Sequence, residues 1–173
     1  MAIDYWFNNE DHTCESFDEL IKLDNYNDIM GIHCANNELT TLPKLPNSLE
    51  DLWCGYNNLT TLPELPNSLK HLDCYYNQIT TLPDLPNSLR TLNCDNNQLT
   101  MLPNLPHCLR HLNCGTNPVY DYIEYEYAGN LELYYKVNQT FADKIGEWFL
   151  ECKYNPKYKY CRDRVDKEYD KLF

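Results

Sequence analysis

The chain has 173 residues, 26 acidic against 14 basic, for a formal net charge of -12. An acidic chain repels phosphate, which argues against nucleic acid and anionic membrane surfaces as partners. No apolar run approaches the ~20 residues of a bilayer span, and the N-terminus, with Asp4, Glu10 and Asp11, lacks the basic-then-apolar order of a secretory signal, so a soluble intracellular chain is expected.

Residues 1–28 carry eight acids and a single base, Lys22. Phe17, Leu20, Ile21 and Leu23 follow Ser16 at roughly helical spacing. This predicts a short helix in an N-terminal cap.

From Ile29 a 20-residue unit recurs in register, L-x-x-L-x-C-x-x-N-x-L-T-x-L-P-x-L-P-N-S, with full copies starting at Ile29, Leu49, Leu69 and Leu89 and a half copy at Leu109 that ends with Asn117. A fixed period of this length means one supersecondary unit stacked on itself around a shared core. Leu52 and Cys54 alternate with Asp51 and Trp53, so each copy predicts a short strand with Leu and Cys inward. Neighbouring copies then pair as a parallel sheet on the concave side of a short arc. Asn37, Asn57, Asn77, Asn97 and Asn117 stand where each strand ends, and their amides can satisfy backbone groups that the bend leaves unpaired. The doubled Leu-Pro pairs, such as Leu62-Pro63 and Leu65-Pro66, remove backbone donors and point to an extended, polyproline-like convex side without helix.

Five of the nine cysteines, Cys34, Cys54, Cys74, Cys94 and Cys114, share one inward slot. They read as small core hydrophobes in single file, spaced too widely for disulfides and in a line rather than converging as zinc requires. No metal or cofactor is expected. His33, His71 and His111 stand about 10 Å apart, two strand spacings, and read as polar surface residues.

The outward slots vary between copies. Trp53, Tyr56, Tyr75 and Tyr76 are expected to cluster in the middle of the arc, flanked by Asp51, Asp73 and Asp95, with His33, His71 and Asn93 alongside. Central aromatics ringed by polar groups match the composition of a protein-binding hot spot. Glu50, Lys70, Arg90 and Arg110 line one margin.

Residues 118–173 read as a helical C-terminal cap. Thr140 with Asp143 three residues later reads as a capping box opening an amphipathic stretch with Phe141, Ile145, Trp148, Phe149 and Cys152; after Asn155-Pro156, the residues Tyr158, Cys161, Val165, Tyr169 and Leu172 mark a second. Between Pro118 and Val137 two helices broken at Gly129-Asn130 are favoured over a β-hairpin turning there.

The repeat resembles the short leucine-rich-repeat class of secreted bacterial effectors, which share the Leu-Pro-x-Leu-Pro half. With Cys in the strand, Pro-Asn-Ser-Leu at the joint and the segment IGEWFLECKYNPKYKYCR from Ile145 to Arg162, it is also similar to leucine-rich-repeat proteins of mimivirus-like giant viruses that infect amoebae. The resemblance implies a leucine-rich-repeat solenoid and a non-enzymatic, intracellular binding role, with a host protein as partner in the host cytoplasm. A monomer is expected. Association with the virion is the alternative. The effector resemblance also raises a ubiquitin-ligase reading, with Cys161-Arg162-Asp163 as its Cys-x-Asp motif. Against it, the tail is far shorter than that catalytic domain, and Cys161 lies on an apolar stripe where a thiol is inert.

Overall fold

The structure, a computed structural model, describes residues 2–8 and 10–120. Its centre is one seven-stranded sheet in the order β2-β1-β3-β4-β5-β6-β7, in which β1 is Ile3–Phe7 and β2 is Glu10–Cys14. The repeats supply β3 (Gly31–His33), β4 (Asp51–Trp53), β5 (His71–Asp73), β6 (Thr91–Asn93) and β7 (His111–Asn113). Each pairs in parallel with the next at an offset of one repeat, so that Ile32, Leu52, Leu72, Leu92 and Leu112 stand side by side. This in-register stacking is the expected solenoid.

The core follows the repeat slots. Leu49, Leu52, Leu59, Leu69, Leu72, Leu89, Leu92 and Leu99 are buried with Ile29, Ile32 and Ile79, and the Cys file runs between them. Each such aliphatic side chain stabilises the fold by roughly 1.5–3 kcal/mol on full burial. The convex half contains no helix among the described residues. There the backbone of the first three copies turns back at Pro-Asn-Ser-Leu and that of the fourth at Pro106-His107-Cys108-Leu109, where the leucine N–H donates to the proline carbonyl: Leu69 to Pro66 and Leu89 to Pro86, both at 3.0 Å. The serine stitches copies together, since Ser68 Oγ donates to Leu49 O at 2.7 Å and Ser88 Oγ to Leu69 O at 2.6 Å.

The asparagines form the ladder their position predicts. Asn77 is buried; its Nδ2 donates to the carbonyls of Cys54 and Cys74 at 3.0 Å, and its Oδ1 accepts from the Leu59 N–H at 2.9 Å. Asn57, Asn97 and Asn117 repeat the pattern. The residue before each ladder asparagine has a positive φ: Asn36 (59°), Tyr56 (51°), Tyr76 (49°), Asn96 (50°) and Thr116 (47°).

The N-terminal region differs from the expectation of a helix alone. The predicted helix is present as α1 (Phe17–Leu20), with Ser16 as N-cap accepting from the Glu19 N–H at 3.3 Å and with Phe17 and Leu20 buried. It is preceded by an antiparallel hairpin of β1 (Ile3–Phe7) and β2 (Glu10–Cys14), and β1 also pairs antiparallel with β3. The sheet thus has two more strands than the repeats account for. The hairpin, by satisfying the open edge of β3, does the capping that sequence reading assigned to the helix. Ile3 and Tyr5 face the core, and Ala2 completes the ladder by exchanging two hydrogen bonds with the Asn37 side chain, at 3.1 and 2.8 Å. At the other end, residues 118–120 are helical and Val119 is buried. The helices expected over the rest of 118–173, including Cys161, lie outside the described residues.

Candidate functional site

The outward positions of β3 to β7 and the turns that follow them form the candidate surface. Pairing aligns Gly31, Asp51, His71, Thr91 and His111 in one row and His33, Trp53, Asp73, Asn93 and Asn113 in the next. The structure divides the aromatics expected to form one cluster into two.

The first cluster is Tyr56, Tyr75 and Tyr76. Tyr56 and Tyr76 hold equivalent slots of adjacent copies, with ring centroids 4.6 Å apart and planes 15° apart; Tyr75 meets Tyr56 edge-on at 4.8 Å and Tyr76 at 5.8 Å. Gly55 is what lets Tyr75 lie there. A Cβ at residue 55 would come within 2.3 Å of the Tyr75 ring, so the ring occupies the space of the missing side chain. Tyr56 and Tyr76 remain 44% and 47% exposed, and both sit at the positive-φ slot that the first and fourth copies fill with Asn36 and Asn96. Asparagine tolerates that conformation, whereas a bulky residue is strained by it. Desolvation, with Tyr56 and Asp73 beside it, pushes the Tyr75 hydroxyl above its usual range.

The second cluster holds Trp53. Its ring lies 5.1 Å from Trp6 of β1, with planes 37° apart, and 6.3 Å from His33. Among the described residues no ring contact joins Trp53 to the three tyrosines. Trp6, outside the repeats, was missed by sequence reading. The alternation Ile3-Asp4-Tyr5-Trp6 before the turn at Asn8 is the signal that could have placed it on a strand.

The polar members are dispersed. His71 Nε2 stands 4.0 Å from Asp51 Oδ1, and burial raises the Asp51 carboxyl against the opposing pull of His71. Asn93 donates to Asp73 at 3.2 Å, and Asp95 accepts from the Asn96 backbone and side chain at 2.8 and 2.9 Å. Lys70 pairs with Glu50 at 2.6 Å on the margin. Among the described residues no three His, Cys, Asp or Glu side chains converge as metal ligands. The cysteine file is buried and free, and desolvation pushes Cys34 and Cys94 up to about 12 and Cys54 and Cys74 well above the ordinary thiol value. Such thiols are poor nucleophiles. No helix among the described residues is long and apolar enough to cross a membrane.

Residues 47–87 and 67–107 match the family model Leucine Rich repeats (2 copies). The repeat region has the leucine-rich-repeat fold. No curated protein sequence matches the chain. Among solved structures it is similar to YopM, a leucine-rich effector protein from Yersinia pestis, with 43% identity over 49% of this chain and 24% of that one and a TM-score of 0.47. It is also similar to YopM from Yersinia enterocolitica, with 38% identity over 51% of this chain and 25% of that one and a TM-score of 0.46. A Shigella effector leucine-rich-repeat domain shows 29% identity over 51% of this chain and 50% of that domain, with a TM-score of 0.47. The chain thus spans about a quarter of the YopM chains and half of the Shigella domain. Leucine-rich-repeat folds generally act in protein–protein interaction.

Proposed function

We propose that the chain is a non-enzymatic scaffold that binds a protein partner through the concave face of its sheet, with the Tyr56, Tyr75 and Tyr76 cluster at the centre of the contact. The observation that carries this reading is the placement of Tyr56 and Tyr76 at positive φ, exposed, in a slot that two other copies fill with asparagine. Folding alone favours asparagine there, at a gain of roughly 1 kcal/mol per residue over a bulky side chain. Aromatics held against that preference supply large, rigid contact area, the material of interface hot spots. In this reading Asp51, His71, Asp73, Asn93 and Asp95 supply polar contacts beside them, and Trp53 with His33 extends the surface toward the N-terminal end.

The similarity of repeat and tail to proteins of amoeba-infecting giant viruses makes a host protein the partner we favour, met in the host cytoplasm. The scaffold acts as a monomer. The outer edge of β2 carries Glu10 and Asp11, charges that discourage edge-to-edge pairing with a second copy.

Affinity capture from amoeba lysate, with the captured protein then titrated against variants, tests the reading. Tyr75→Ala and Trp53→Ala should each weaken the partner by about 2 kcal/mol or more, roughly thirtyfold, while the Leu-Cys core stays in place and stability falls only by the lost ring contacts, about 0.5–1.5 kcal/mol per pair. Capture that survives both substitutions but is abolished by changes between Tyr154 and Arg162 would move the binding site to the C-terminal tail.

A further inference from the structure

The second aromatic cluster sits where the hairpin joins the repeats. Asp11, Trp6, Gly31 and Asp51 form one row across β2, β1, β3 and β4, and Thr13, Asp4, His33 and Trp53 form the next. Gly31 leaves the first row blank, and the Trp6 indole fills that blank: a Cβ at residue 31 would lie 1.7 Å from the ring. Trp6 thereby reaches Trp53 in the second row, at 5.1 Å between centroids. Trp6, Trp53, His33 and Asp11 line an open cleft of about 510 Å³.

Carboxylates dominate the charges around this cleft, two of them facing histidines. Asp11 lines it, Asp4 Oδ2 stands 3.9 Å from His33 Nδ1, and Asp51 follows Gly31 in the Trp6 row. Among the described residues no lysine or arginine lines it, and Lys22 is the sole such residue in the first 28. Indole faces are themselves negative, so indoles and carboxylates around one open space leave a negative potential, to which the lining Asp11 contributes. A cation over the indole face resolves it, through its attraction to the ring and to the carboxylate together.

We infer that this cleft takes one lysine or arginine side chain of the partner, its cation over the Trp6 and Trp53 indoles and Asp11 as the counter-charge. The inference deepens the concave-face reading and rests on it, adding that the partner presents a basic residue at the N-terminal end of the arc.

The test is an NMR titration of the full-length chain, following indole N–H signals assigned with Trp6→Leu and Trp53→Leu. The probes are N-acetyl-arginine amide, N-acetyl-lysine amide, the neutral N-acetyl-citrulline amide and tetramethylammonium. The Trp6 and Trp53 signals should move saturably with the arginine or lysine probe, at an affinity about tenfold or more above the citrulline probe. Asp11→Asn, at an exposed position that leaves the fold intact, should weaken the cationic probes severalfold and leave citrulline unchanged. Should Trp6→Leu disturb the hairpin, the Asp11→Asn arm decides alone. Equal binding of citrulline, indifference to Asp11→Asn, or tetramethylammonium binding more tightly than both amino-acid probes would overturn the inference. If it falls while Tyr75→Ala still releases the partner, the concave-face reading stands without a basic anchor.

Discussion

Raising the pH should unfold this protein through its file of thiols. The ordinary thiol value is 9.0, and in the folded chain desolvation pushes Cys34 and Cys94 up to about 12. Cys54 and Cys74 are raised well above the ordinary value, by desolvation first and then by repulsion from neighbouring thiols in the file. Well below pH 9 folded and unfolded chains hold the same thiol protons, and the thiols add no pH dependence to stability. Above it the unfolded chain releases protons that the native chain retains, so stability falls as pH rises until, near 12, Cys34 and Cys94 begin to ionise in place. Each thiol in that window contributes a slope approaching 1.4 kcal/mol per pH unit, about 5–6 for the four together. A stability of about 5–15 kcal/mol would vanish between roughly pH 10 and 12. Urea unfolding followed by circular dichroism at stepped pH measures the slope. Tyr26, also raised to about 12 by burial, adds to it only above roughly pH 10, where an unfolded tyrosine ionises, so the interval from 9 to 10 reports the thiols. The double variant Cys54→Ala/Cys74→Ala should start less stable but show a slope shallower by about 2.7 kcal/mol per pH unit, the share of two thiols. A flat profile up to pH 10, or a slope unchanged in that variant, would refute the buried file.

Two further substitutions probe the ladder and the turn slot. Asn77→Ala strands the Leu59 N–H and weakens the pairing of the Cys54 and Cys74 carbonyls, so it should cost roughly 2–4 kcal/mol in denaturant unfolding, well beyond an exposed-surface substitution such as Gln78→Ala. Tyr76→Asn relieves the positive φ by about 1 kcal/mol and forfeits ring stacking worth about 0.5–1.5 kcal/mol; stability should therefore change little while partner affinity drops, and a large loss of stability would mean the tyrosines serve packing.

The repeat was legible because its slots are redundant. Leu52, Cys54 and Asn57 have the same duty in every copy, so the period reveals strand, inward face and turn together. The hairpin was less so. Residues 3–14 fall outside the period, and the pattern Ile3-Asp4-Tyr5-Trp6 puts a large aromatic on the outward face, which blurs the alternation. For the candidate site, the columns were readable and the contacts were not. Column membership placed Trp53 beside the tyrosines, but pairing and side-chain direction set it against Trp6 and His33 instead. Side-chain reach along the turn, unlike inward or outward facing, depends on what the neighbouring slot leaves empty.

That dependence on empty slots accounts for both clusters. A solenoid repeats its backbone, so its surface can be individual only through side chains, and an outward side chain of ordinary length meets its neighbours about 4.8 Å away on either flank. Two glycines break that uniformity. Gly31 admits the Trp6 indole and Gly55 admits the Tyr75 ring, and in each case the ring crosses the missing side chain to meet an aromatic it would not otherwise reach, Trp53 in one cluster and Tyr56 in the other. Gly115 occupies the same column as Gly55 with nothing nearer to its absent Cβ than Asp95 at 3.2 Å, so a glycine alone does not build a cluster. The aromatic next to it must be present as well. The candidate surface is therefore encoded in pairs, a blank and a ring one strand apart, and substituting either member dismantles the contact without touching the leucine core.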